Sequence, residues 1–175
     1  IHSDDFYIDN YVVQRVVDEF KTKKVFAVFA DLLFIKGNDR KKVLRYYSAK
    51  KFKIEKLKYG FMPPHPTLFI KKEVYEKHGL YKTDYKIAAD FEIFVRFLLV
   101  NKITFSYINL PLVKMRVGGI SSGGIKRRIE CNIEVVRALR SNDIKTNHIV
   151  ILRKYPIKFF EIINGYIYNF LVRKK

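Results

Sequence analysis

The feature that most constrains the fold is an apolar run from Val25 to Ile35, with the sequence VFAVFADLLFI. Its β-branched and aromatic side chains are apolar at odd and even positions alike, which is typical of a strand buried within a sheet. Lys36-Gly37-Asn38-Asp39 then predicts a turn, and the residues from Val43 to Tyr47 predict a returning partner strand. The run therefore predicts a sheet with a buried central strand.

The rest of the chain alternates between strand and helix patterns. Helices are predicted after Asp9 or Asn10, at Lys72–His78 with a stop at Gly79, from Asp90, at Ile125–Leu139 and at about Pro156–Val172. Residues 1–5 are predicted to be the end of a strand that runs into a loop. Further strands are predicted at Thr67–Ile70, and at Ile103–Ile108 and Leu112–Met115 around Pro111. This alternation indicates an α/β class.

Composition narrows the classes of protein and partner. Apolar residues make up 49% of the 175 residues, which excludes a disordered chain, and the single cysteine, Cys131, excludes a disulfide framework. The net charge is +18. Residues 36–58 carry ten basic and two acidic side chains, and residues 126–175 carry twelve basic and four acidic ones. Such clusters predict an anionic partner, with a solvated surface as the alternative.

An aspartate pair, Asp4 and Asp5, lies where the first predicted strand runs into a loop. Carboxylates at the C-terminal edge of a strand can hold a hard divalent cation, which prefers oxygen ligands and also binds substrate phosphates. An aspartate pair ahead of a helix is also typical of a cap and a turn. The pair alone leaves both interpretations open.

Two further segments present single polar side chains. The loop at residues 60–66 contains three prolines and presents His65 just before a predicted strand, so that its ring either bonds to backbone or faces a substrate. Ala88-Ala89-Asp90-Phe91-Glu92 places Asp90 at a helix start, where its carboxylate either caps the helix or faces a cleft as a general base. Glu92 and Arg96 have the i, i+4 spacing of a pair that can be purely structural.

A glycine-containing segment follows the last predicted strand, with the sequence Met115-Arg116-Val117-Gly118-Gly119-Ile120-Ser121-Ser122. Backbone N–H groups in such a loop can cradle a phosphate, and Arg116 adds a positive charge. The segment fits no nucleotide-binding fingerprint, so it predicts a phosphate contact only in combination with the other motifs.

Taken in order, these motifs resemble the family-2 glycosyltransferases of bacterial polysaccharide synthesis. The resemblance rests on S-D-D, then Pro-His-x-x-x-Phe, then K-x-A-A-D-F-E followed by Arg96, then M-R-x-G-G-I-S-S, and it covers residues 1 to about 122. It implies an incomplete GT-A fold, a Rossmann-like mixed sheet with flanking helices. The family's N-terminal part, which holds the base and ribose of the donor, is expected to be missing from this chain.

The resemblance also implies roles for individual residues. Asp5 would ligate Mn²⁺ or Mg²⁺ and Asp4 would help to hold the nucleotide-sugar donor, while Asp90 would deprotonate the acceptor hydroxyl in an inverting transfer. The substrate-binding residues are then expected to be His65, Glu92, Arg96, Arg116, Gly118 and Gly119. Residues 1–124 would form the metal- and acceptor-binding part of the transferase, and residues 125–175 a basic helical extension.

The extension and the overall charge leave further alternatives open. The last predicted helix, with Lys154 and Lys158 off its apolar stripe, either lies in an anionic membrane interface or docks on the sheet of the protein. A saccharide or lipid-linked acceptor at the inner face of a bacterial membrane, reached from the cytoplasm, would suit both basic clusters. A basic nucleic-acid-binding module is the alternative class, although no such motif occurs in the sequence. An inactive remnant of a transferase is a third interpretation.

Overall fold

The computed structural model describes residues 5–37, 39–116, 124–153 and 155. Within them five strands form one mixed sheet, in the order β1-β5-β2-β3, with β4 also paired to β2. The strands are β1 (Asp5–Tyr7), β2 (Ala27–Lys36), β3 (Asp39–Tyr47), β4 (Phe69–Ile70) and β5 (Phe105–Arg116). β2 runs parallel to β5, and the other pairs are antiparallel. The architecture is therefore mixed α/β, as the sequence predicts.

Helices flank this sheet. They are α1 (Val12–Lys23), α2 (Lys72–His78), α3 (Ala89–Phe94), α4 (Ile125–Arg140) and α5 (His148–Leu152). A π-helix at Val95–Val100 continues α3, and two 3₁₀ helices lie at Ile54–Tyr59 and His65–Thr67. The predicted end of α2 is confirmed, because Gly79 follows it with φ +89°, a conformation that glycine adopts without strain.

The predicted buried strand is β2, which lies inside the sheet between β5 on one side and β3 and β4 on the other. Val28, Phe29 and Ala30 are at most 1% exposed, which confirms burial on both faces. Val28 and Ala30 pack with Val12 and Val16 of α1. β2 thus contacts three other strands and α1, and it forms the centre of the fold.

A second core lies under α3 and its π-helical continuation. Among the described residues it includes Phe91, Phe94 and Leu98, together with Val135 and Leu139 of α4. The predicted helix at residues 125–139 is confirmed as α4. Its apolar face packs into the same core as α3, so α4 can bring side chains to the start of α3.

The two strands predicted around Pro111 are one continuous strand, β5, and that prediction was wrong. The parallel pairing of β2 with β5 shifts register at Pro111, from Ala30↔Ile108 to Asp31↔Pro111. Proline lacks the N–H that a regular ladder requires, and an irregularity of this kind accommodates it without ending the strand.

The N-terminal prediction also needs correction. Asp5 lies in β1 (Asp5–Tyr7), paired with Met115 of β5, so the strand continues past Asp5 instead of ending there. The next helix begins at Val12, and neither Asp9 nor Asn10 occupies its cap position, which Tyr11 takes without a side-chain cap bond. Asp9 instead accepts the Tyr11 N–H at 2.8 Å and pairs with Arg15. The carboxylate therefore stabilises the turn ahead of α1.

Candidate active site

The His65 loop is fixed to the central strand through one hydroxyl. Along one edge of β2, Ala30 lies between the residues paired with β4 and those paired with β3, and it has no strand partner there. The Thr67 Oγ1 takes the place of that partner: it accepts the Ala30 N–H at 3.1 Å and donates to the Ala30 carbonyl oxygen at 2.8 Å. Thr67 is fully buried. The loop is also held at Met62, whose carbonyl accepts the Tyr47 hydroxyl at 2.7 Å. His65, two residues before Thr67, is consequently presented from a rigid segment.

The start of α3 is held by a glutamate from another helix. Glu134 of α4 accepts the backbone N–H groups of Lys86, Ile87 and Ala88 at 2.8–2.9 Å. Burial alone would raise the pKa of Glu134, but these three N–H donors and the nearby Arg137 charge lower it below its usual value. The carboxylate therefore fixes the turn that leads directly into Asp90.

Asp90 lies in the first turn of α3, and it does not cap the helix. No side chain bonds the N-terminal N–H groups from the cap position, which Ala88 occupies. The Asp90 carboxylate instead faces two other side chains. Its Oδ2 lies 3.7 Å from His65 Nε2, and its Oδ1 accepts the Tyr81 hydroxyl at 3.1 Å. The capping alternative is thus wrong, and Asp90 faces outward.

This group of three, Asp90, His65 and Tyr81, is partly open to solvent. The side chains of His65 and Asp90 are 25% and 29% exposed, and Tyr81 as a residue is 45% exposed. Partial burial and the adjacent Asp90 carboxylate both raise the pKa of the Tyr81 phenol, so the phenol stays a hydrogen-bond donor at neutral pH. Two contacts hold the carboxylate in place, and each of its oxygens keeps acceptor capacity for a ligand.

Glu92 and Arg96 form a buried cluster behind this group. Glu92 is fully buried and Arg96 is 9% exposed. The Arg96 Nε and Nη2 donate to the Glu92 carboxylate at 3.0–3.2 Å. Lys82 lies 3.0 Å from the same carboxylate, and Asn142 donates to it at 3.2 Å. Burial alone would raise the pKa of Glu92, but these donors, Arg96 first, lower it. This arrangement favours the structural interpretation of the pair.

The rest of the Arg96 guanidinium binds the chain after α2. It donates to the carbonyl oxygens of His78, Gly79 and Leu80, at 2.7 Å for Gly79 and 2.8 Å for Leu80. A Cβ on Gly79 would lie 3.2 Å from the Arg96 Nη1, so the close approach also depends on glycine. The buried cluster therefore fixes the backbone immediately before Tyr81.

Two other predicted residues lie elsewhere on the sheet. Asp5 is 8% exposed and shares the sheet face of Met115, its partner on β5. The Arg116 guanidinium lies 4.8 Å from the Phe6 ring centroid, and the alternation of side chains along the strands puts Phe6 and Asp5 on opposite faces. Asp5 and Arg116 are therefore adjacent in the strand pair without converging on one face.

Several predictions fall outside the residues that the structure describes. These are Asp4 of the aspartate pair, Gly118 and Gly119 of the glycine segment, and the last predicted helix at about residues 156–172. In the parts that are described, no three side chains of His, Cys, Asp or Glu come together as a metal site would require. No helix in the same parts is long and apolar enough to cross a bilayer.

Sequence reasoning missed Tyr81 and Glu134. Tyr81 lies in a segment predicted only as irregular, and Glu134 is one of many charged residues on an amphipathic helix. No local pattern distinguishes Glu134, because its partners precede it by 46–48 residues. Comparison with known proteins gave no matching family model and no matching curated protein.

Proposed function

We propose that this chain is the acceptor-side part of an inverting glycosyltransferase, in which Asp90 is the general base. One observation carries the proposal: Asp90 is a partly exposed carboxylate whose helix and supporting loops are fixed by buried or partly buried contacts. A base of this kind needs a defined position and a lone pair directed at the incoming hydroxyl. The order of the sequence motifs supports the same assignment.

The reaction would use Asp90 as follows. Its carboxylate accepts the proton of an acceptor hydroxyl while the hydroxyl oxygen forms a bond to the anomeric carbon of the donor sugar. The bond from that carbon to the diphosphate oxygen breaks on the opposite side, which inverts the configuration. His65 and Tyr81 each contact one carboxylate oxygen of Asp90, so they orient the base during this transfer.

The donor side of the proposal rests on Asp5. Mg²⁺ and Mn²⁺ bind through one or two carboxylates together with substrate phosphates, so Asp5 with Asp4 is a suitable donor set in kind. When bound there, the ion would neutralise charge on the departing diphosphate. Gly118 and Gly119 are proposed phosphate contacts, and Arg116, on the sheet face opposite Asp5, is proposed only to add positive charge at this end of β5. The GT-A fold and a nucleotide-sugar donor belong to the same proposal.

The acceptor side is proposed as a saccharide or a lipid-linked saccharide. The basic clusters at residues 36–58 and 126–175 suit an acceptor that carries phosphate or is held at an anionic membrane surface. This location would be the cytoplasmic face of a bacterial membrane. Electrostatic attraction would raise the local concentration of such an acceptor near Asp90.

The test is the release of nucleoside diphosphate from a panel of nucleotide sugars by the full-length enzyme that contains this chain, because the proposal places the base and ribose of the donor on a part outside it. Release is measured with Mn²⁺ and a mixture of methyl glycosides as acceptors. We expect Asp90→Asn to lower the rate by about 10²–10⁴-fold, since the amide cannot accept the proton. Asp18→Asn is the matched control, because Asp18 lies exposed on α1, where it accepts a bond from Gln14. Release by the Asp90→Asn variant at the wild-type rate, or no release by the wild type from any donor, would refute the proposal.

A further inference from the structure

The surface beside Asp90 is formed by the ring of Tyr81, and other aromatic rings pack against its inner side. Tyr81 stacks on Tyr75 of α2, with ring centroids 6.2 Å apart and an interplanar angle of 25°. Tyr75 in turn contacts the buried Phe97 edge-on at 5.4 Å. This series of rings leads from the core to the surface, and its outermost member, Tyr81, lies next to the proposed base.

The backbone that carries Tyr81 is fixed on both sides of the ring. Before it, Arg96 binds three successive carbonyl oxygens, those of His78, Gly79 and Leu80. After it, Lys82 pairs with the buried Glu92 at 3.0 Å. A ring fixed in this way loses little conformational freedom when a ligand covers it, which favours binding.

Tyr81 combines the two kinds of surface that a sugar ring requires. A pyranose has an apolar face of C–H groups and a rim of hydroxyls, and binding sites pair apolar or aromatic surface with a few oriented polar groups. Tyr81 is 45% exposed, so much of its surface is accessible. Its hydroxyl bonds Asp90 at 3.1 Å, and His65 lies 3.7 Å from the other oxygen of that carboxylate.

We propose that Tyr81, supported by Tyr75, is the platform on which a pyranose ring of the acceptor stacks, with one ring hydroxyl directed at Asp90. The inference rests on the proposed transferase function, and it adds the acceptor subsite and the chemical class of its ligand. Tyr81 binds the acceptor and orients it, whereas Asp90 acts on the proton. Stacking on Tyr81 thus determines which hydroxyl reaches the base.

The experiment measures binding of single sugars without turnover, by saturation-transfer NMR on the full chain. The probes are methyl β-D-glucopyranoside, methyl β-D-galactopyranoside and methyl α-D-mannopyranoside, with the open-chain alditol sorbitol as the non-pyranose control. We expect saturation of the pyranose C–H protons for at least one glycoside and none for sorbitol. Octyl β-D-glucopyranoside below its micelle concentration tests whether a lipid-like aglycone adds to the binding of the ring.

Three variants decide the role of Tyr81. We expect Tyr81→Leu to weaken glycoside binding about tenfold, and Tyr81→Phe, which keeps the ring, to weaken it by no more than about threefold. Tyr11→Leu should leave binding unchanged, because Tyr11 is exposed at the start of α1, which packs on a different core. Circular dichroism confirms that each variant is folded.

The outcomes separate this inference from the proposed function. Equal binding by wild type and Tyr81→Leu, or no binding of any glycoside by the wild type, overturns the platform. Loss of binding in Tyr81→Leu together with unchanged turnover in Asp90→Asn leaves the platform standing and refutes the base. Loss of glycoside binding in Tyr81→Leu together with loss of turnover in Asp90→Asn supports both.

Discussion

Asp90 and Glu92 lie two residues apart on α3, and their carboxylates have opposite surroundings. Two residues of a helix differ by about 200° in direction, so one side chain faces solvent while the other faces the core. The Glu92 carboxylate is fully buried and is bonded by Arg96, Lys82 and Asn142. The Asp90 side chain is 29% exposed and contacts only His65 and Tyr81 in the described structure.

The difference is between a carboxylate that supports the fold and one that is accessible to a ligand, both on one short helix. A buried carboxylate with all its acceptor sites occupied is useful for holding elements together and is unavailable to a ligand. A partly exposed carboxylate with acceptor capacity left can exchange a proton. The adjacent buried cluster fixes the helix and the loop that position the exposed one. Four predictions test this division, beginning with the largest expected effect.

Arg96→Ala should disrupt the buried Glu92–Arg96 cluster that fixes α3 and the loop before Tyr81. It leaves the Glu92 charge buried with only Lys82 and Asn142, and it leaves three loop carbonyls without their donor. We expect the free energy of unfolding to fall by about 3–5 kcal/mol, measured by urea denaturation with circular dichroism. Arg15→Ala is the control, since the Arg15–Asp9 pair is about one-third exposed and screened by solvent, so its loss should destabilise the fold far less. Equal losses in the two variants would contradict the division.

Glu134→Ala should loosen the start of α3 without opening the core. Three backbone N–H groups lose their acceptor, and we expect a loss of about 1–3 kcal/mol in the same denaturation experiment. Glu130→Ala, one turn earlier on α4 at an exposed position, should change stability by less than about 0.5 kcal/mol. If Glu134→Ala behaved like Glu130→Ala, the turn before Asp90 would not depend on this carboxylate.

Acid should weaken the support through Glu92 and Glu134. The pKa of each is lowered in the folded state from 4.5, so the unfolded chain binds more protons below that pH. The stability that these groups contribute is present above pH 4.5 and is lost as the pH falls through their folded pKa values. We expect the acid loss of unfolding free energy to be smaller in Glu92→Gln and Glu134→Gln than in the wild type. An unchanged pH profile in both would count against the assigned bonds.

Asp90→Asn should have the smallest effect on stability. The amide keeps the size of the side chain, and its two neighbours remain partly solvated. We expect the free energy of unfolding to change by less than about 0.5 kcal/mol, although the proposed transfer is lost. A loss above about 2 kcal/mol would place Asp90 with Glu92 as a structural group.

The sequence predicts the elements with strong local patterns. The apolar run of β2, the stop at Gly79 and the periodicity of α4 are all confirmed, because each depends on neighbouring residues alone. The strand through Pro111 was not predicted, because the shift in register that accommodates the proline belongs to the pairing with β2. From the sequence alone, a proline predicts the end of a strand, because its place in the pairing depends on the partner strand.

The site was predictable in part. The motifs single out His65 and Asp90, and the structure brings them to 3.7 Å, although 25 positions separate them in the sequence. Glu92 and Arg96 have the spacing of a pair, but the sequence does not show that the pair is buried or that it binds the loop before Tyr81. Burial and long-range bonds are properties of the packed chain, so Tyr81 and Glu134 became visible only in the fold.

The hold of Arg96 on three consecutive carbonyls has a consequence for kinetics. A loop tied to a buried guanidinium opens only when that charge loses its partners, which makes opening rare. The segment before Tyr81 therefore does not work as a lid. Under the proposed function, a ligand should therefore enter and leave beside Tyr81 without waiting for this segment to move.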